Sequence, residues 1–163
     1  MKTLSKIILI TGLLLFHTYG IIAQTVDTEL NQVELMKQFV GSWKCELGKD
    51  TVMTGENISF GTGLECNSQI IVQDKIVNSI KQLLGYDKKL DKFIVAELIE
   101  SSPVIEICEA WFTSKNKGEL IITNPANAAL KYKFEFRTPD MIVQTALQNN
   151  EVIKEITLTR IKE

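Results

Sequence analysis

The sequence predicts an all-β fold, an antiparallel up-and-down barrel of about eight to ten strands with one short amino-terminal helix. Two observations lead to this prediction: apolar residues recur with a period of two through most of the chain, and short polar turns separate the apolar runs. Strands joined by tight turns pair antiparallel, and closing such a sheet removes its exposed edges. A sandwich of two sheets is the structural alternative.

The period of two is clearest near the two ends of the predicted sheet. Trp43, Cys45 and Leu47 alternate with charged residues, and residues 130–137 repeat the same pattern with aromatic side chains. Polar turns such as Asp87-Lys88-Lys89 then divide the chain. We predict strands at residues 42–49, 51–60, 63–73, 76–86, 92–100, 104–113, 119–123, 130–137, 141–147 and 151–161.

A short helix is predicted immediately before the first strand. Between Leu30 and Val40 the apolar residues recur at a spacing of three to four, and Asp27 or Thr28 is a candidate N-cap. Gly41 follows this run, where a glycine lets the helix stop and the backbone turn into the strand.

The first 23 residues have the character of a secretory signal. Lys2 and Lys6 precede an apolar run that begins at Ile7, and the small Ala23 precedes Gln24. We expect residues 1–23 to be a signal peptide and residues 24–163 to be one domain, exported to the periplasm or the extracellular space. The apolar run is short for a bilayer span, so we expect no stable membrane insertion after cleavage.

Cleavage would leave a mature chain without histidine, because His17 is the only one in the sequence. Histidine-dependent nucleophiles and imidazole-ligated metals are then excluded, and the common nucleotide-binding and hydrolase motifs are missing. We expect no catalytic residue, no metal and no cofactor, and we favour a protein that is not an enzyme. The formal charge of -2 also argues against a nucleic-acid partner.

Several short motifs resemble a known family. Gly41-x-Trp43 before a long meander, and Leu158-Thr159-Arg160 at its end, resemble the lipocalin-like barrels. The segments 84–87 (Leu-Gly-Tyr-Asp) and 92–95 (Lys-Phe-Ile-Val) are similar to those of bacterial secreted lipocalin-like domains, calycin-type barrels of unknown function. The resemblance covers roughly residues 30–162 and implies the same barrel fold.

Trp43 and Arg160 are the predicted pair that closes the barrel. Each shares a strand face with apolar residues two positions away, so both side chains are expected to point to the apolar side. Closure brings the first and last strands together, and a guanidinium over an indole is a cation–π pair worth about 0.5 to 2 kcal/mol. The resemblance implies that this pair lies at the closed end of the barrel. We expect it to be structural and to touch no ligand.

Three cysteines, Cys45, Cys66 and Cys108, remain after the expected cleavage. In an oxidising compartment Cys45 and Cys66 could form a disulfide if their strands are neighbours, because a disulfide needs Cα atoms within about 7 Å. The alternative is three small buried thiols.

Acidic residues raise the one chemical question in the sequence. Glu97 and Glu100 are three positions apart on one predicted strand, and Glu106 and Glu109 are three apart on the next. One member of each pair should point inward, and Glu97 and Glu106 are the members to test first. An inward carboxylate would have a raised pKa and could act as an acid or bind a cationic group. A β-bulge or a place at the barrel rim would instead turn both members outward.

Three classes of function remain open. The first is a secreted barrel that binds a small apolar or amphipathic molecule, the second a protein-interaction module with a filled barrel, and the third a hydrolase or isomerase that uses two inward carboxylates. A cavity of about 300 Å³ or more would favour the first class over the second. The predicted ligand-pocket positions are Ile80, Leu84, Tyr86, Tyr132, Phe134 and Val143.

Overall fold

Ten antiparallel strands follow one another in chain order and close into a barrel in the computed structural model, which describes residues 30–125 and 130–162. The predicted all-β, up-and-down barrel is therefore confirmed, and the alternative sandwich is wrong. The predicted signal peptide lies outside the described residues. The strands are β1 (Gly41–Gly48), β2 (Thr51–Phe60), β3 (Gly63–Val72), β4 (Lys75–Asp87), β5 (Lys92–Ile99), β6 (Ile105–Phe112), β7 (Lys117–Asn124), β8 (Leu130–Thr138), β9 (Met141–Gln148) and β10 (Glu151–Arg160).

A short helical segment precedes the barrel and is joined to it by a buried side chain. It consists of α1 (Gln32–Met36) and one 3-10 turn (Lys37–Phe39). The Gln32 side chain donates to the Phe112 carbonyl at 3.1 Å and accepts from the Phe112 amide at 2.8 Å. These two bonds hold the helical segment against the end of β6. No described helix is long and apolar enough to span a membrane.

The helix begins later than the sequence predicted. Asn31 is its N-cap, and the Asn31 side chain accepts a hydrogen bond from the backbone N–H of Glu34 at 3.1 Å. The candidate caps Asp27 and Thr28 lie outside the described residues. The apolar spacing located the segment, but the side-chain bond of Asn31 decides where its first turn starts.

Aromatic side chains fill the end of the barrel beneath the helical segment. The Phe39 ring lies 4.9 Å from the Phe136 ring and 5.2 Å from the Phe134 ring, in both cases edge to face. Phe112 packs 5.1 Å from Phe134 and is 2% exposed, and Trp43 is 3% exposed. We call this group (Phe39, Trp43, Phe112, Phe134 and Phe136) the aromatic floor.

Arg160 closes the barrel at the same end. In the pairing of β1 with β10, Trp43 lies opposite Arg160, and the guanidinium carbon is 4.2 Å from the centre of the indole ring. The indole N–H donates to the Phe39 carbonyl at 2.7 Å. The two side chains thus bring together the first strand, the last strand and the helical segment.

The remaining donors of Arg160 are used by backbone carbonyls. Its Nη2 donates to Gln38 O at 3.0 Å and to Pro139 O at 3.1 Å, and its Nη1 donates to Val40 O. Asp140 lies 3.3 Å from its Nε. Because every face of the guanidinium has a partner, the charge is compensated although the side chain is largely covered.

Gly41 is required by its backbone conformation and by the approach of Arg160. Its φ of +116° is one that residues with a Cβ rarely adopt. A Cβ built at this position would also lie 2.5 Å from Nη1 of Arg160. The glycine before the tryptophan therefore makes room for the arginine that covers the tryptophan.

The possible disulfide between Cys45 and Cys66 is not formed, and the alternative of buried thiols is the one observed. Both thiols are buried and free, as is that of Cys108. Cys45 is on β1 and Cys66 on β3, and β2 runs between them, with Met53 opposite Cys45 and Asn57 opposite Cys66. Two strand spacings amount to about 9.5 Å, which exceeds the Cα separation that a disulfide can bridge.

Loss of either member of the closing pair is expected to destabilise the fold. Trp43→Ala removes a buried aromatic side chain and should lower the free energy of unfolding by about 3 to 5 kcal/mol. Arg160→Ala should lower it by about 1 to 3 kcal/mol, and the double variant should lose less than the sum because the partners touch. Urea denaturation measures all three losses. Arg137→Ala, which removes an exposed outer arginine, is the matched control, and strictly additive losses for the pair would contradict the coupling.

A methyl group at Gly41 should be costly for two separable reasons. Gly41→Ala is expected to destabilise the protein by about 1 to 3 kcal/mol through backbone strain and contact with Arg160. In an Arg160→Ala background only the backbone strain remains, so the same substitution should cost less. Gly48→Ala is the control, because a Cβ there meets nothing within 4 Å. An equal cost of Gly41→Ala in both backgrounds would show that the close approach contributes nothing.

Candidate functional site

The barrel encloses a cavity of about 430 Å³ above the aromatic floor. Every strand contributes inward side chains to its lining, and Met36 and Phe39 of the helical segment close one end. Most of the lining is apolar, with Leu64, Val95 and Leu158 as typical members. The helical segment and the closed sheet together therefore form a chamber of ligand size rather than a filled core.

Four of the six predicted pocket positions line this cavity, namely Ile80, Leu84, Tyr132 and Phe134. Tyr86 does not line it. The Tyr86 ring lies 5.4 Å from the Phe93 ring, and its hydroxyl donates to Asp91 at 2.7 Å. Tyr86 belongs to the packing at the helix end of β4 and β5, beyond the chamber, so its assignment to the pocket was wrong.

Val143 does not line the cavity either, because the neighbouring Gln144 occupies the inward position of β9. Gln144 lies opposite Phe134 on β8, while Val143 lies opposite Glu135. Glu135 pairs with Arg137 at 3.0 Å on the outer surface. The strand has apolar residues on both faces, and the register with β8 decides which face is inward.

Glu97 and Glu106 both face the cavity and lie directly opposite each other in the pairing of β5 with β6. Gln82 on β4 lies opposite Glu97 and donates an amide hydrogen bond to it. We call these three residues the acidic row. The pairing of β5 with β6 is regular over the whole ladder, so the bulge that could have turned both acids outward is not formed.

The other two acids considered in the sequence lie elsewhere. Glu109 points to the outer surface, where its carboxylate is 2.7 Å from Lys92 Nζ. Glu100 is exposed in the turn after β5. The spacing of three residues thus separates an inner acid from an outer one on β6, as the alternation of a regular strand requires, whereas Glu100 lies beyond the end of β5.

The interior disfavours the charged forms of the groups that line it. Burial raises the pKa of Glu97, the hydrogen bond from Gln82 lowers it, and the nearby Glu106 carboxylate raises it again. Burial, followed by the charges of Glu106 and Glu97, raises the pKa of the Tyr132 phenol. The phenol therefore remains a hydrogen-bond donor at neutral pH.

The two cysteines of the lining are protonated and unreactive as nucleophiles. Burial and the charge of Glu65 raise the pKa of Cys66 to about 12. Burial and the charges of Glu97 and Glu106 raise the pKa of Cys108 to about 11. Since the thiolate is the reactive form, these side chains contribute packing and weak polarity to the cavity rather than covalent chemistry.

A second depression, of about 720 Å³, crosses the outer surface of β1 to β5. Its lining is largely polar, with Glu56, Asn67 and Lys81 as examples, and it is an open groove. An open polar groove leaves most of a small molecule in water, whereas the interior chamber surrounds it. The interior cavity is therefore the better candidate for a ligand site.

The sequence of this chain matches no model of a known protein family and no curated protein. Among the described residues, no group of three or more histidine, cysteine or acidic side chains could hold a metal ion. Any function must therefore be inferred from the cavity itself.

Sequence reasoning missed several polar members of the lining, among them Gln82 and Gln144. Gln82 lies between Ile80 and Leu84 on one strand face, so the alternation that placed those two inward also placed Gln82 inward. Gln144 shares its face with Ile142 in the same way. Strand alternation placed both side chains inward, but their polarity argued against a position in the interior.

Replacing the buried acid is expected to change how stability depends on pH. The pKa of Glu97 is raised above its ordinary value of 4.5, so the folded protein holds this proton more tightly than the unfolded chain. The stabilisation is fully present below the unfolded pKa and is lost as the pH rises through the folded pKa. Between about pH 4 and about pH 7, Glu97→Gln should therefore gain stability relative to the unsubstituted protein.

Urea denaturation across this pH range measures the difference in unfolding free energy. Glu109→Gln is the matched control, because Glu109 lies on the neighbouring strand and points outward to Lys92. This control should show no comparable gain. A pH-independent difference for Glu97→Gln would contradict the buried position of the acid.

Proposed function

We propose that this protein is an exported binding protein whose barrel carries one small amphipathic molecule. The observation that carries the proposal is the interior cavity of about 430 Å³, which exceeds the 300 Å³ or so at which a ligand becomes more plausible than a filled core. The signal-like residues 1–23 support export, and the motifs around Trp43 and Arg160 support membership of the lipocalin-like barrels.

The chemistry of the lining also favours a carrier over an interaction module. A module that works through its outer loops gains nothing from an empty interior, since filling it would add stability. An apolar wall with a few polar groups on one side is the usual form of a small-molecule site. The molecule that fits would bury a hydrocarbon or aromatic body and present one polar group.

A carboxylate-based hydrolase or isomerase is the second candidate, because Glu97 and Glu106 share the cavity. Paired carboxyl groups in different protonation states can act as acid and base. The described lining offers no lysine, arginine or histidine to stabilise a developing negative charge, which makes binding the simpler role. Turnover of a bound molecule, abolished in Glu97→Gln, would favour the enzyme.

The carrier proposal predicts that protein isolated from its own host retains a small molecule. Gentle native mass spectrometry should show a species heavier than the polypeptide. Denaturation should release the bound small molecule and leave the mass of the polypeptide alone. The emptied protein should increase the fluorescence of N-phenyl-1-naphthylamine, an apolar dye, with micromolar affinity on the order expected for a pocket of this size. A protein without bound molecule and without dye binding would refute the carrier.

Filling the cavity should abolish this binding. Ile156→Trp places an indole in the chamber and should weaken dye binding by about tenfold or more. Ile153→Trp is the matched control, since Ile153 lies on the same strand and is 55% exposed. Circular dichroism and thermal melting verify that both variants are folded. Equal dye affinity in the two variants would place the bound dye outside the barrel.

A further inference from the structure

In the described structure, the cavity contains two acidic side chains without a compensating cation. Glu97 and Glu106 line it, and the described lining residues include no lysine or arginine. Within the described part of the chain, no lysine or arginine forms an ion pair with either acid. Within the acidic row the two acids face each other, and Glu97 accepts a hydrogen bond from the neutral amide of Gln82.

Acids on the outer surface of the neighbouring strands have partners. Glu65 lies 3.3 Å from Lys81, and Glu109 lies 2.7 Å from Lys92. The inward acids face a space large enough for a ligand, where a low dielectric strengthens every charge interaction. Placing two carboxylates there costs stability unless something positive joins them.

The acidic row lies at a defined depth in the chamber. One register step nearer the helical segment, the same three strands carry Leu84, Val95 and Cys108. Beyond these residues the aromatic floor begins. A ligand whose polar group reaches the acidic row therefore places its apolar body towards the floor.

Two further residues, on β8 and β9, add hydrogen-bonding groups to the lining of the cavity. Tyr132 on β8 and Gln144 on β9 both line the cavity. The carboxylates of Glu106 and Glu97 contribute to the raised pKa of Tyr132, which places the phenol within their electrostatic reach. Together with the acidic row, these residues offer carboxyl groups, amides and a hydroxyl to a ligand. The carboxyl groups, when ionised, give this part of the cavity a negative potential.

From this geometry we propose that the ligand of the barrel is an amphipathic amine whose ammonium group binds between Glu97 and Glu106. This inference rests on the proposed carrier function and names the class of molecule carried. An ammonium group donates charge-assisted hydrogen bonds to both carboxylates, while its chain or ring lies against Leu84 and Phe134. A carboxylic acid with the same body would be repelled by the acidic row. An alcohol would bind through neutral hydrogen bonds alone.

The volume sets the size of such a ligand. At the roughly 30 Å³ that a water molecule occupies in the liquid, 430 Å³ corresponds to about fourteen waters. A single alkyl chain or a two-ring aromatic amine has a size in this range. A molecule with two long chains does not fit into the chamber.

Three probes with the same body test the inference: 1-decylamine, 1-decanol and decanoate at pH 7. Their affinities follow from displacement of N-phenyl-1-naphthylamine, with calorimetry as a second measurement. The amine should bind at least about tenfold more tightly than the alcohol, a difference of about 1.4 kcal/mol, and decanoate should bind most weakly. A protein that prefers the alcohol or decanoate would overturn the amine inference and leave the carrier proposal intact.

Variants assign the preference to the acidic row. Glu97→Gln combined with Glu106→Gln should reduce the advantage of decylamine over decanol to less than about threefold, without weakening decanol. Glu109→Gln is the control on the same strand as Glu106 and should retain the full advantage. If the double variant does not fold, Glu106→Gln alone should lose most of the affinity advantage of decylamine over decanol. An amine preference unchanged in a folded variant would also overturn the inference.

A pH titration of the unsubstituted protein provides an independent measurement. The groups that face Glu97 are Gln82 on β4, Glu106 and Cys108 on β6, and Tyr132 on β8. Burial raises the pKa of Cys108 and of Tyr132, so neither group ionises in the acid range. Carboxyl groups are the side chains that take up protons in acid, and an alkyl ammonium stays charged as lysine does. The affinity for decylamine should therefore fall towards that for decanol as the pH decreases from about 7 to about 4. A constant ratio would contradict the proposal. Failure of all three probes and of the dye would instead reject the carrier function itself.

Discussion

The contact between Arg160 and Trp43 is the interaction on which the rest of the barrel depends. Closure of a sheet requires its first and last strands to meet in one register, and this contact fixes that register at the end covered by the helical segment. The guanidinium also donates to the carbonyls of Gln38 and Val40, which precede β1, and of Pro139, which lies in the turn before β9. The Arg160 side chain therefore links the two closing strands to the helical segment. Gly41, which has no Cβ, leaves the space that this side chain occupies.

The interior differs in character along the barrel axis because of this closed end. Beneath the helical segment, aromatic rings pack edge to face and form one end of the cavity. Further along, the lining includes the polar residues Gln82, Glu97 and Glu106. Among the described residues, no lysine or arginine joins the two acids in the lining. The position of these two acids makes them the feature of the cavity that says most about the chemistry of its ligand.

Sequence reasoning succeeded where the residues two positions away were apolar. Trp43 and Arg160 were assigned inward because apolar residues lie two positions from each, and Glu106 was separated from Glu109 by the alternation of a regular strand. It failed where the two faces of a strand were similar. Val143 has apolar residues on both sides of β9, and only its place opposite Glu135 shows that it is an outer residue. Gln82 was overlooked although its parity with Ile80 and Leu84 placed it inward.

Local chemistry thus determined the all-β class, the number of strands and the turns between them, since alternation and turn residues act over a few positions. The tertiary structure decided the register between neighbouring strands, and therefore that Glu97 faces Glu106 and that Gln144 rather than Val143 lies opposite Phe134. It also decided how much of the interior stays empty. Volume depends on the curvature of the whole closed sheet and on the helical segment that covers one end, and neither is encoded in any single stretch of sequence.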